Sequence, residues 1–248
     1  MASVPEPSPS TPTPTPPLPS PSENSPGRRY GGADPTQRRE RRRAALIAAG
    51  LDTFGIDGYA KVSVKGICDH AGLTQRYFYE SFTDRADLLV AVYDDCVAFV
   101  RAATVRSAAE MADADPELLG SSEGVAAERV PDVARAALGA FMSCLADDPR
   151  RARVMLVEVV GVSPEIERVR MRAIHDWAAL ILALARGARP PSDRERLASV
   201  GLVGAVTQLL VDWYVAGAGE SDTQRFALDE ILDVCVELFV AAYGRLLT

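Results

Sequence analysis

Residues 63–82, SVKGICDHAGLTQRYFYESF, spell a helix, a glycine turn and a second helix with its own cap, the signature of a helix-turn-helix. Val64, Ile67, Cys68 and Ala71 recur at i, i+3, i+4 and i+7, which gives the first helix one apolar face to bury. Ser63 carries the hydroxyl to cap its start. Gly72 stands where a helix end takes a left-handed residue, and Thr74 is spaced as the N-cap of the next helix, with Leu73 and Phe78 as a hydrophobic staple. Turning Phe78 and Phe82 inward leaves Gln75, Arg76, Tyr77 and Tyr79 pointing out. Donors and flat rings of this kind suit a DNA groove.

The charge distribution agrees. The 248-residue chain has a net charge of −7, yet residues 1–27 contribute −2, residues 28–85 contribute +4 and residues 86–248 contribute −9. The basic segment coincides with the helix-turn-helix, so the acidic remainder is expected to face away from phosphate. Upstream, residues 36–58, TQRRERRRAALIAAGLDTFGIDG, predict a helix with Leu46, Ile47, Gly50, Leu51 and Phe54 on one face. Its arginines, Arg38, Arg39, Arg41, Arg42 and Arg43, read either as phosphate contacts or as a solvated helix face. Downstream, Asp84 is placed to cap a fourth helix, whose stripe Leu88, Val92, Cys96, Phe99 and Ala103 links two domains.

Three regions follow from composition. Residues 1–35 are a Pro/Ser/Thr-rich tail, expected to be disordered or polyproline-like and to serve as a solvated extension or a partner-binding arm. Residues 36–83 form the helix-turn-helix domain and residues 84–248 a larger helical domain. In the latter, a polar loop is expected over Asp113–Glu128, then helices starting near Pro131, Pro149, Pro164 and Asp193, and a last one near Thr223. With no alternating strand pattern, the fold is predicted to be all-α. The cysteines Cys68, Cys96, Cys144 and Cys235 are too widely spaced for a zinc motif or a disulfide framework and read as buried free thiols, so no metal or cofactor is expected. No leader or membrane span is evident, and a cytoplasmic protein is expected.

Over about Thr36–Asp95 these residues resemble the TetR family of bacterial transcriptional regulators. The resemblance rests on the arginine-led helix, the turn Phe54-Gly55-Ile56-Asp57-Gly58-Tyr59, Ser63-Val64, Ala71-Gly72-Leu73-Thr74, Tyr79, Phe82 and Asp87-Leu88-Leu89. It implies that Ser63, Lys65, Tyr79 and Arg85 meet the DNA backbone, Tyr79 being otherwise a half-buried structural ring. Thr74 is implied to cap the recognition helix, and Gln75, Arg76 and Tyr77 to occupy the base-reading positions. Glu80-Ser81 follows the tyrosine where the family commonly has His or Trp, so operator sequence does not transfer. Arg76 is suited to guanine and Gln75 to adenine.

In the larger domain, Leu197, Val200, Gly201, Gly204, Gln208, Val211 and Val215 form one stripe, and Leu228, Ile231, Leu232, Cys235, Leu238, Phe239 and Ala242 another. Two such helices from each of two chains make a four-helix bundle, the homodimer that the resemblance also implies. The alternative is that both stripes serve the monomer's own core. Phe141, Met142, Met155, Met171, Ile174, His175 and Trp177 are candidates to line a cavity for a small hydrophobic or amphipathic effector, or else are ordinary core and surface residues. No nucleophile, phosphate-loop or paired-histidine motif supports an enzyme. The expected function is sequence-specific regulation of transcription, most simply a repressor released from a palindromic operator by its ligand. A ligand-independent or non-specific architectural DNA-binding protein is the alternative.

Overall fold

Helix α1 (Pro35–Ile56) starts on a proline, whose missing N–H costs nothing in a first turn, and buries Leu46, Ala49, Gly50, Thr53 and Phe54. A computed structural model describes residues 34–114, 125–187, 189–217 and 226–246, and every regular element among them is helical. The predicted first helix face is present, with Ile47 and Leu51 half-buried at its edges. A short 3-10 turn (Tyr59–Lys61) leads to α2 (Val64–Ala71), capped by the Ser63 hydroxyl, which accepts from Gly66 N at 3.1 Å. Gly72 ends α2 at φ 64° and ψ 29°, a left-handed conformation that strains any residue with a Cβ.

Helix α3 (Gln75–Tyr79) follows, and Phe78 and Phe82 are buried beneath it. Helix α4 (Arg85–Ala114) begins with a reciprocal cap: Asp87 N donates to Asp84 Oδ1 at 2.9 Å, and Thr83 N donates to Asp87 Oδ2 at 2.9 Å. Its stripe departs from the predicted one after Cys96. Val100 is fully buried, whereas Phe99 is 46 % exposed under the Arg151 guanidinium, 3.9 Å from its ring centroid. The core side of a 3.6-residue helix moves on by four residues here rather than three.

The second half comprises α5 (Val130–Asp147), α6 (Pro149–Arg153), α7 (Pro164–Arg186), α8 (Asp193–Gly217) and α9 (Leu228–Leu246). The helix expected at Pro149 is only five residues long before it widens into a π turn, Val154–Glu158. The last helix begins at Leu228, where Ala227 N donates to Glu230 Oε2 at 2.8 Å, rather than near Thr223. Residues 218–225, most of the loop expected over Asp113–Glu128, and nearly all of the N-terminal tail lie outside the described residues.

One core joins the helix-turn-helix to the larger half. Leu46, Phe54, Ile67, Phe78 and Leu88 share it with Val154, Val159, Ile166 and Ala173. A second core gathers Val100, Met142, Leu145, Leu210, Ile231 and Cys235. By length and composition α8 reaches the apolarity of a membrane span, but it packs on its neighbours through Leu202, Val206 and Leu210. The α9 stripe is largely spent on the chain's own core, since Ile231, Cys235 and Ala242 are buried. The α8 stripe is divided: Val211 packs on the second core, whereas Leu197 is 75 % exposed and Gly201 and Gly204 are open to solvent, with exposed Val234 and Leu238 on α9.

Candidate nucleic-acid interface and ligand cavity

The short α3 holds its outward side chains over a hydrophobic seat. Phe78 is fully buried, and Tyr79 leans edge-on against it, centroids 5.4 Å apart, while remaining 59 % exposed. Thr74 has N-cap backbone geometry, but its hydroxyl makes no cap bond, so it and Gln75 present free polar groups on the exposed side. Arg76 is 86 % exposed, with Nε 3.4 Å from Glu80 Oε1. Tyr77 is half-buried beneath the Arg42 guanidinium, 4.4 Å from its ring centroid. Lys65, on the exposed side of α2, holds its ammonium 2.5 Å from Asp69.

Ser63 and Arg85 also have partners within the chain. Ser63 is engaged as a cap, and Arg85 Nη1 donates to Tyr59 O at 2.9 Å and also to Val62 O, its guanidinium lying 4.8 Å from the Tyr59 ring centroid. Arg85 therefore ties the turn after α1 to the start of α4. Sequence reading missed the arginines' anchor: Glu80 accepts from Arg42 through its carboxylate and from Arg39 Nη2 through its carbonyl at 2.8 Å. A partner about forty residues away leaves no local signal.

Behind this face, α1 meets α6 at van der Waals distance, and a Cβ on Gly55 would lie 2.4 Å from Arg150 Cβ and 2.7 Å from its Cα. Arg150 pairs with Asp52 of α1, and Asp52 Oδ2 lies 2.8 Å from His70 Nε2. Asp148 accepts from Arg150 Nε at 2.8 Å, Arg150 Nη2 at 2.9 Å and Arg151 Nη1 at 2.8 Å. The hydrogen bonds from Arg150 hold the Asp148 carboxyl below the ordinary carboxylate range. Glu158, on the π turn, accepts from Tyr59 N at 2.7 Å and from Arg153 Nε at 2.7 Å, while Arg153 Nη1 donates to Ile56 O at 2.8 Å.

The other side of the same π turn, Met155, Leu156 and Val157, lines a cavity of about 670 Å³ between α4, α5, α7, α8 and α9. Of the predicted ligand contacts, Phe141, Met155, Ile174 and Trp177 line it, with Trp177 edge-on to Phe141 at 5.1 Å. Met142, Met171 and His175 do not. On α7, Arg170, Ile174, Trp177 and Ile181 share the inward side, and Met171 and His175, each one residue on, are turned by about 100°. Met171 is 40 % exposed, and His175 lines a separate groove beside Arg189 and Pro190. Met142, similarly rotated from Phe141, is buried in the second core. All four cysteines are free; Cys144 is only half-buried, and burial pushes the Cys96 thiol up to about 12.

Residues 46–92 match the sequence model of bacterial regulatory proteins, tetR family. This segment is a DNA-binding domain of the TetR type. The match supports a DNA-binding transcriptional regulator. No curated protein matches it in sequence. Its fold is similar to the fatty acid degradation regulator FadR from Bacillus halodurans, with TM-score 0.58 and 16 % identity, covering 80 % of this chain and 94 % of that one. FadR from Bacillus subtilis, solved in complex with stearoyl-CoA, gives TM-score 0.55 and 18 % identity, covering 80 % and 97 %. A TetR/AcrR regulator from Thermobifida fusca gives 0.51 and 20 %, covering 83 % and 100 %.

Proposed function

We propose that this chain is a TetR-family repressor that binds a near-palindromic operator as a homodimer and is released by an amphipathic small molecule. The observation that carries this reading is the double duty of the π turn Val154–Glu158. Met155, Leu156 and Val157 line the cavity, while Glu158 holds the backbone of Tyr59 at the edge of the helix-turn-helix. A ligand that repacks one side of five residues displaces the other, because close-packed interiors transmit strain rather than absorb it. Stearoyl-CoA bound to the Bacillus subtilis relative supports a ligand-responsive role.

Gln75 and Arg76 are assigned to bases, and Thr74, Lys65 and Tyr79 to the backbone. Tyr77 is a base-edge contact held by Arg42. The exposed α8 stripe around Gly201 and Gly204, with Val234 and Leu238 of α9, is assigned to the dimer. Genomic footprinting with the full chain, followed by competition with unrelated DNA, tests the reading. A protected near-palindrome that resists excess competitor is the expected result. Protection without sequence preference would favour the architectural alternative.

A further inference from the structure

The cavity is long rather than round. Its lining on α7 runs from Arg170 to Ala185, fifteen residues or about 22 Å at 1.5 Å per residue. A volume of about 670 Å³ with about 22 Å of lining along one helix gives room for an extended hydrocarbon chain. Val160 in the lining is 56 % exposed, whereas Val125, whose N–H donates to Leu184 O near the Ala185 end, is buried.

The polar groups are equally uneven. Among the charged groups, hydroxyls and amides in the lining, Thr104 donates to Val100 O and Thr207 to Val203 O, Gln208 donates to Asp212, and Tyr243 donates to Val125 O. Two donors remain. Arg170 spends Nε and Nη2 on Glu167, and its Nη1 has no partner among the described residues. Tyr93 is 6 % exposed, lines the cavity next to Arg170, and its hydroxyl likewise has no partner among the described residues. Burial pushes that phenol up to about 12, so it stays a donor at neutral pH. Donors that open onto an apolar cavity offer an anionic oxygen arriving with a ligand charge-assisted hydrogen bonds.

Resting on the reading of this cavity as the effector site, we infer that its ligand is a free long-chain carboxylate, with its head on Arg170 Nη1 and the Tyr93 hydroxyl and its single alkyl tail running along α7 toward Val125. An extended chain advances about 1.2 Å per bond, so a sixteen-carbon acid reaches about 18 Å and fits the length of the lining. A thioester offers these donors a neutral carbonyl in place of an anion and brings several phosphates to a mouth where Arg170 is already shared with Glu167.

Calorimetry with the full chain and palmitate, hexadecan-1-ol, decanoate and palmitoyl-CoA tests this, alongside operator release by each. Palmitate is expected to bind about 10- to 100-fold more tightly than hexadecan-1-ol, and decanoate more weakly than palmitate. Arg170→Gln and the near-isosteric Tyr93→Phe are each expected to remove much of the palmitate advantage, palmitate losing clearly more affinity than hexadecan-1-ol. Tighter binding of palmitoyl-CoA than of palmitate, or palmitate binding indifferent to both variants, would overturn the assignment of the head group. Operator release by a compact ring amphiphile with no palmitate binding would overturn the ligand class and leave the repressor reading standing. Palmitate binding that follows this pattern without releasing operator would uphold the ligand and sink the release mechanism.

Discussion

Arg76 and Arg85 look interchangeable in sequence, both basic and both near α3, but their surroundings separate them. Arg76 is 86 % exposed and free to swing from Glu80 to a base edge, so Arg76→Ala is expected to cost about 1–3 kcal/mol at the operator and to relax preference at one base position. Lys65→Ala removes a cation that has only Asp69 to leave. It should weaken all sequences alike and lower the salt-dependence slope by about one, measurable by anisotropy titration over a salt series. Arg85 is held by two backbone carbonyls and an aromatic ring, and Arg85→Ala should therefore appear first as lost stability. About 1.5–3 kcal/mol is expected from the charged hydrogen bonds, read as a lower Tm before any DNA is added. An unchanged Tm with weakened DNA binding would return Arg85 to the phosphate contacts.

At the scale of elements, the short α6 and its π turn carry the connection between the two halves. Asp148 caps α6 and binds Arg150 and Arg151, and its carboxyl is held below the usual range. A lowered folded value means that its contribution is present above the unfolded carboxylate value near 4 and is lost as the pH falls through the folded value. Asp148→Asn should thus cost about 2–3 kcal/mol at pH 7, and the stabilities of the two proteins should converge as the pH falls through the lowered folded value. Glu158→Gln keeps the shape of the π turn but removes the charge that holds Tyr59 N and Arg153. Ligand and operator affinities measured separately should change little, whereas the loss of operator affinity on adding ligand should shrink. An undiminished ligand effect would place the coupling in α4 alone. Helix positions in this region were readable from Pro149 and Pro164, but the π turn was not, because i→i+5 pairing is imposed by what packs on both sides of it.

For the whole molecule, the expected assembly is a dimer that places two copies of α3 in successive major-groove faces, about 34–36 Å apart on straight DNA. Coupling between ligand and operator is reciprocal: a tenfold loss of operator affinity on ligand binding, about 1.4 kcal/mol, requires a tenfold loss of ligand affinity on operator binding. Calorimetry with and without operator checks this, and ligand binding indifferent to operator would remove the proposed release. The helix-turn-helix was legible from the chain alone because each of its signals is local: Ser63 and Gly72 act within four residues, and the Ile67, Phe78 and Phe82 pattern is a helical period. The all-α class and most helix starts followed from the same kind of signal. The cavity was half legible, since Phe141, Met155, Ile174 and Trp177 face it, but composition does not report helix rotation, and so Met142, Met171 and His175 were drawn in with them. Arg85 bound to Tyr59 and Val62, Glu80 joined to α1, Arg150 set against Gly55, and Arg170 beside Tyr93 were decided only by the tertiary structure. Each joins positions between 23 and 95 apart, and the packing of one element on another, which no local pattern encodes, is what brings them together.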